Sequence, residues 1–117
     1  MFNVTPEEDE AWQEKEKAKT EQLHDAFNIL VEAGKHLGER ALTYDNIAGE
    51  RSMATTVAMF NELVNANMTE EEGWMFMAIL KMVRSQQGRF KADNYEDGAA
   101  YFALACEAAS KARNQNN

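Results

Sequence analysis

Thr69-Glu70-Glu71-Glu72-Gly73-Trp74-Met75-Phe76-Met77-Ala78-Ile79-Leu80-Lys81-Met82-Val83-Arg84-Ser85-Gln86-Gln87-Gly88 is the stretch from which the fold is read. Thr69 and Glu72 form a capping box, in which hydroxyl and carboxylate each take an otherwise unpaired backbone N–H. Three acids occupy the first turn, where the helix dipole favours negative charge. Gly88 suits the position just beyond a helix end. The spacing therefore predicts a helix from Glu70 to about Gln87. Its Trp74–Leu80 segment is apolar on every side, which predicts the central, most buried helix. That run of seven, like every other apolar run in the chain, is far short of the about 18 residues of a membrane span.

Toward the C-terminus, residues 88–92 read as a basic loop. Asn94 reads as the cap of a following helix with Asp97 in its first turn. Tyr95, Ala99, Phe102, Ala103, Cys106 and Ala109 are its predicted inner face, and the many Ala residues allow close helix approach. Residues 114–117 read as a disordered tail. Toward the N-terminus, a helix is predicted over 52–65, with Met53, Val57, Phe60 and Val64 on one face. Residues 42–49 read as a loop or short helical turn. Before it, Leu23, Phe27, Leu30, Val31 and Leu37 fall on one stripe of a helix that fades near Gly38. Thr5-Pro6-Glu7-Glu8 is a further helix start, with Thr5 as cap, Pro6 in the first turn and Glu8 closing a capping box. From Glu7 to Lys19 almost every residue is charged, and Trp12 is the sole large apolar group. Such a helix gains from Glu–Lys pairs but has little to bury, which predicts a projecting arm or a partner-binding extension.

These elements sum to an all-α bundle of four or five helices: a charged arm over 1–20, a bundle domain over 21–113 and a tail over 114–117. The 117 residues suit one domain. One Pro and six Gly are too few for a turn-rich sandwich or barrel. Seven Met and an all-round apolar helix predict that a second subunit covers part of the surface, making the protein a homo-oligomer. The single cysteine excludes an intrachain disulfide. Within Leu104-Ala105-Cys106-Glu107-Ala108-Ala109 it reads as a small buried apolar side chain. With His24 and His36 it cannot build a Cys/His zinc site. The acidic N-terminal segment lacks the apolar core of a signal peptide, so a cytoplasmic location is expected.

The net charge is −8, but its distribution is uneven. Residues 1–50 hold twelve acids against five Lys/Arg. Residues 73–92 hold Lys81, Arg84, Arg89 and Lys91 and no acid. If the last two helices form an antiparallel hairpin, the Lys81/Arg84 face approaches the Asp93/Asp97 face. One outcome is a set of interhelical ion pairs that fixes the hairpin. The other is an anion site: Lys81, Arg84, Arg89 and Lys91 would hold phosphate charge, and Phe90 and Tyr95 would offer faces for a base. A cluster of cations attracts phosphate locally even in an acidic protein, because charge is screened over about 8–10 Å. Asp93, Glu96 and Asp97 also admit a divalent site, since Mg²⁺ is commonly held by one or two carboxylates plus phosphate oxygens. Acid pairs such as Glu7/Glu10 and Glu70/Glu71 read as helix-start acids on a solvated face.

The order Glu39-Arg40-Ala41-Leu42-Thr43-Tyr44, Leu80-Lys81-Met82-Val83-Arg84 and Asp93-Asn94-Tyr95-Glu96-Asp97-Gly98-Ala99-Ala100-Tyr101 resembles a family of small, mostly uncharacterised bacteriophage proteins. The likeness covers about residues 28–110 and leaves the arm outside. That family is in turn distantly similar to the MazG-like all-α nucleotide pyrophosphohydrolases. The resemblance implies a MazG-like, oligomeric bundle. Those enzymes hold Mg²⁺ with a Glu-x-x-Glu pair on one helix and a Glu-x-x-Asp pair on the next. Asp97 matches the final Asp, Asn94 stands at the preceding acid, and Lys81 and Arg84 occupy the helix of the first pair. Cations there would repel a metal. The implied reading is a non-catalytic phage binding module. It would contact phosphates of single-stranded nucleic acid or of nucleotides through residues 81–91, as a replication or transcription accessory, with no catalytic residues and no cofactor. Two alternatives stand beside it. One is an Mg²⁺-dependent nucleotide pyrophosphohydrolase using Asp93, Glu96 and Asp97. The other is an acidic factor that engages a phage or host protein through residues 7–21.

Overall fold

The structure, a computed structural model, describes residues 5–21, 24–44 and 52–115. Among them it has five helices and no strand: α1 (Pro6–Glu21), α2 (Ala26–Tyr44), α3 (Ser52–Val64), α4 (Glu70–Ser85) and α5 (Ala92–Gln115). Both capping boxes form. Thr5 Oγ1 accepts the Glu8 amide at 3.1 Å, and the Thr69 Oγ1 bond to Glu72 N is likewise 3.1 Å. Asp25 caps α2, its Oδ1 accepting the Asn28 amide at 2.8 Å.

Three packed pairs build the bundle: α4 on α5, α2 on α5 and α3 on α4. The core is Trp74, Leu104, Ala105 and Ala108, with Leu37, Met53, Met77 and Tyr101 packed against it. Helix α5 is the central element. Ala92, Glu96, Ala100, Leu104 and Ala108 recur every four residues along its buried stripe, joined by Ala105 and Ala109. These short side chains let α4 and α2 lie close on either side. The α3–α4 turn is held by one side chain. Asn61 Nδ2 donates to the Met68 carbonyl, and Asn61 Oδ1 accepts the Met68 amide, both at 2.8 Å. Asn65 closes the turn with φ 55°, a left-handed value that Asn tolerates better than most residues. Gly73 lies so close to α3 that an added Cβ would come within 2.7 Å of Val57 Cγ1.

Several expectations are corrected. α2 runs through Gly38 to Tyr44, because Leu37 packs on the core and Arg40 reaches α5. Leu23 and the rest of the expected 42–49 turn lie outside the described residues. α4 stops at Ser85, and Gly88 takes φ +66° in the loop. α5 starts at Ala92, two residues before the expected Asn94 cap, and stays helical through Gln115. The inner face of α5 is turned from the expected one. Ala109 is buried, but Tyr95 and Phe102 are exposed, and so is Cys106, so that cysteine is no core residue of this chain. The stripe facing inward is the one with the smallest side chains, because only these permit the close helix contacts.

α4 is not the most buried helix either. Trp74 and Ala78 face inward, while Phe76, Ile79 and Met82 are more than half exposed. α3 repeats this: Val57 is buried, and Phe60 and Val64 are open. On α2, Ala33 is buried, whereas Phe27 and Leu30 are open.

Candidate functional site

The basic segment divides into two places. The deeper lies where α2, α4 and α5 meet. Lys81 on α4 extends its Nζ to Asp97 Oδ2 on α5 at 3.1 Å, the interhelical pair expected of an antiparallel hairpin. Asp97 is bracketed from the other side by α2, with Arg40 at 3.8 Å and His36 Nε2 at 3.9 Å from Oδ1. His36 Nε2 lies closer to Glu96 Oε1, at 3.1 Å. Glu96 is the one buried charged residue among those described. Burial of a carboxylate is costly without such a partner. Arg40 also covers the Tyr101 ring, its guanidinium carbon 4.3 Å from the centroid, and Tyr101 stacks on Trp74 at 5.7 Å. The charges thus rest on the aromatic floor of the core. An open cleft beside them is lined by His36, Glu39, Arg40 and Thr43.

Neither His36 nor Arg40 was expected from the sequence as a member of this site. They stand four apart on α2 and face Asp97 and Tyr101, four apart on α5, so a matched spacing on two helices was the available signal. Of the three carboxylates of the metal alternative, Glu96 turns to His36 and Asp97 to Lys81 and Arg40. Among the described residues, no group of three or more His, Cys, Asp or Glu side chains is placed to hold a metal ion.

The second place is the tip of the α4–α5 hairpin. Phe90 and Tyr95 pack together with ring centroids 6.0 Å apart, and each keeps nearly half its surface open, 49% and 45%. His24 meets Phe90 edge-on at 6.1 Å. Arg84 and Lys91 are exposed nearby in sequence, on the last turn of α4 and just before α5. Arg89 is not open in the same way. α1 lies against it: Asp9 forms an ion pair with its guanidinium, and Trp12 stacks with its ring centroid 4.4 Å from the guanidinium carbon. Asp9 and Trp12 thus tie the arm, expected as a projection or a partner-binding extension, to this end.

A family model described as a domain of unknown function (DUF6378) matches residues 28–109, spanning both places and excluding α1. No curated protein and no solved structure matches the chain.

Proposed function

This chain belongs to the DUF6378 family, and we propose that it is a non-catalytic, homo-oligomeric module that binds phosphate-bearing bases, as single-stranded nucleic acid or as nucleotides, at the α4–α5 tip. The observation that carries this is the Phe90–Tyr95 pair, half open to solvent and flanked in sequence by Arg84, Arg89 and Lys91. Half-open aromatic faces are where bases stack, contributing about 1–3 kcal/mol each, and neighbouring cations attract the phosphates. The deeper cluster supports the absence of hydrolysis in this reading. Lys81 and Arg40 stand against Asp97, so that carboxylate already carries its counter-charges. A phage replication or transcription accessory role is the setting we propose for such a module.

Assembly belongs to the same reading. Exposed apolar side chains on α3 and α4, at Met59, Leu63, Phe76, Ile79 and Met82, support it, and a second copy is the occupant we assign to this face.

A mobility-shift titration tests the binding. It uses a single-stranded oligothymidylate, a duplex and a fluorescent nucleoside triphosphate, each at two salt concentrations. The expected result is single-strand or nucleotide binding that weakens as salt rises and is lost in Phe90→Ala and Lys91→Glu. No shift with any of the three at low salt overturns the proposal, and binding by the nucleotide alone assigns the tip to free nucleotides.

A further inference from the structure

The arm and the tip meet in a way that the binding reading does not use. Arg89 receives two things from α1, a carboxylate from Asp9 and an aromatic face from Trp12. These are the two chemistries that a nucleotide offers a guanidinium, an anionic oxygen and a stacking ring. The extensive helix–helix contacts join α2, α3, α4 and α5, and of the described α1 side chains from Thr5 to Lys15 all but Asp9 and Trp12 are exposed. α1 is also strongly acidic in its first turn, at Glu7, Glu8 and Asp9.

We infer that α1 is an intramolecular competitor for the tip, occupying Arg89 with Asp9 and Trp12 until a phosphate-bearing base displaces them. The inference rests on the proposed binding at the tip. The anchor is weak enough to be displaced. Arg89 and Asp9 side chains keep 36% and 32% of their surface, and an exposed ion pair or cation–π contact each contributes modestly. A strap of this kind lowers apparent affinity by the fraction of molecules in which the tip is open. It moves the whole binding curve to higher ligand concentration by that factor.

The test uses the full-length chain and a fluorescein-labelled oligothymidylate. Wild type, Asp9→Asn combined with Trp12→Ala, and Glu10→Gln are titrated at one low salt concentration. Glu10→Gln is the control for charge alone, because Glu10 is exposed. The expected result is about fivefold to tenfold tighter binding by the double variant, with Glu10→Gln close to wild type. A second readout is trypsin cleavage at Lys15, Lys17 and Lys19, which should accelerate when saturating oligothymidylate is added to wild type. Equal affinities for wild type and the double variant, with binding intact, overturn the strap and leave the tip reading standing. Cleavage that does not change at saturation does the same. Failure of every variant to bind overturns both.

Discussion

Glu96 and His36, sixty residues apart in the chain, meet at 3.1 Å where α5 and α2 cross. The carboxylate is buried and the imidazole partly so. Glu96→Ala would leave His36 without this partner and open a void, so a loss of about 1–3 kcal/mol is expected. Glu96→Gln keeps the shape and a hydrogen-bonding oxygen and should lose less than half as much. Urea unfolding of the two variants measures the difference, and equal losses would show that the polar contact contributes nothing.

Lys81 and Asp97 join α4 to α5 with side chains 16% and 18% exposed. A pair this sheltered should show more coupling than a surface pair. A double-mutant cycle with Lys81→Met and Asp97→Asn is expected to give about 1 kcal/mol or more. Single removal of Asp97 should cost more than single removal of Lys81, because it leaves both Lys81 and Arg40 facing each other uncompensated.

Two helix-interior glycines should respond oppositely to alanine. At Gly73 the new Cβ would meet Val57 Cγ1 at 2.7 Å and Met53 Sδ at 2.5 Å. Met53 can turn away, but Val57 is stiff at its branched carbon. Gly73→Ala is expected to destabilise by about 1–3 kcal/mol as α3 is pushed off α4. At Gly98 the nearest atom is Lys81 Cβ at 3.6 Å, ordinary contact. Gly98→Ala should therefore stabilise by up to about 1 kcal/mol through backbone entropy. Thermal unfolding of both variants decides the matter, and a rise in Tm for Gly73→Ala would contradict the close approach.

Thr69→Ala removes the hydroxyl that accepts the Glu72 amide. The expected loss is about 1 kcal/mol, read as a lower denaturant midpoint at unchanged slope. Restoration by Thr69→Ser would assign the loss to the cap.

For assembly, Phe76→Glu and Ile79→Glu place charge on an exposed apolar face of α4. If a second copy covers that face, sedimentation should show wild-type oligomers and monomeric variants with retained helical content. A monomeric wild type at micromolar concentration would contradict the assignment.

The starts of α1 and α4 were legible in the sequence because capping is local: Thr5 with Glu8 and Thr69 with Glu72 each need only four residues. The Lys81–Asp97 pair was legible too, since a hairpin and two periodicities fix it. What escaped was the choice of inner face on α5. Periodicity offered Phe102 and Cys106, but the distance between helices is set by Ala92, Ala100 and Ala108, and small side chains carry little hydropathy signal. Arg40 escaped because the helix was expected to fade near Gly38, and His36 because its partner Glu96 lies sixty residues away in the chain. The engagement of Arg89 by Trp12 depends on where the arm folds back, which no local pattern encodes.

The amide bracket that Asn61 places on Met68 has a kinetic meaning. If a second copy covers the apolar face of α3 and α4, the tie between these helices would present Met59, Leu63 and Phe76 in one preset arrangement. Docking of such a face would lose little entropy beyond that of the tumbling bodies themselves. Association of such faces would be governed by collision and orientation, not by a slow refolding step.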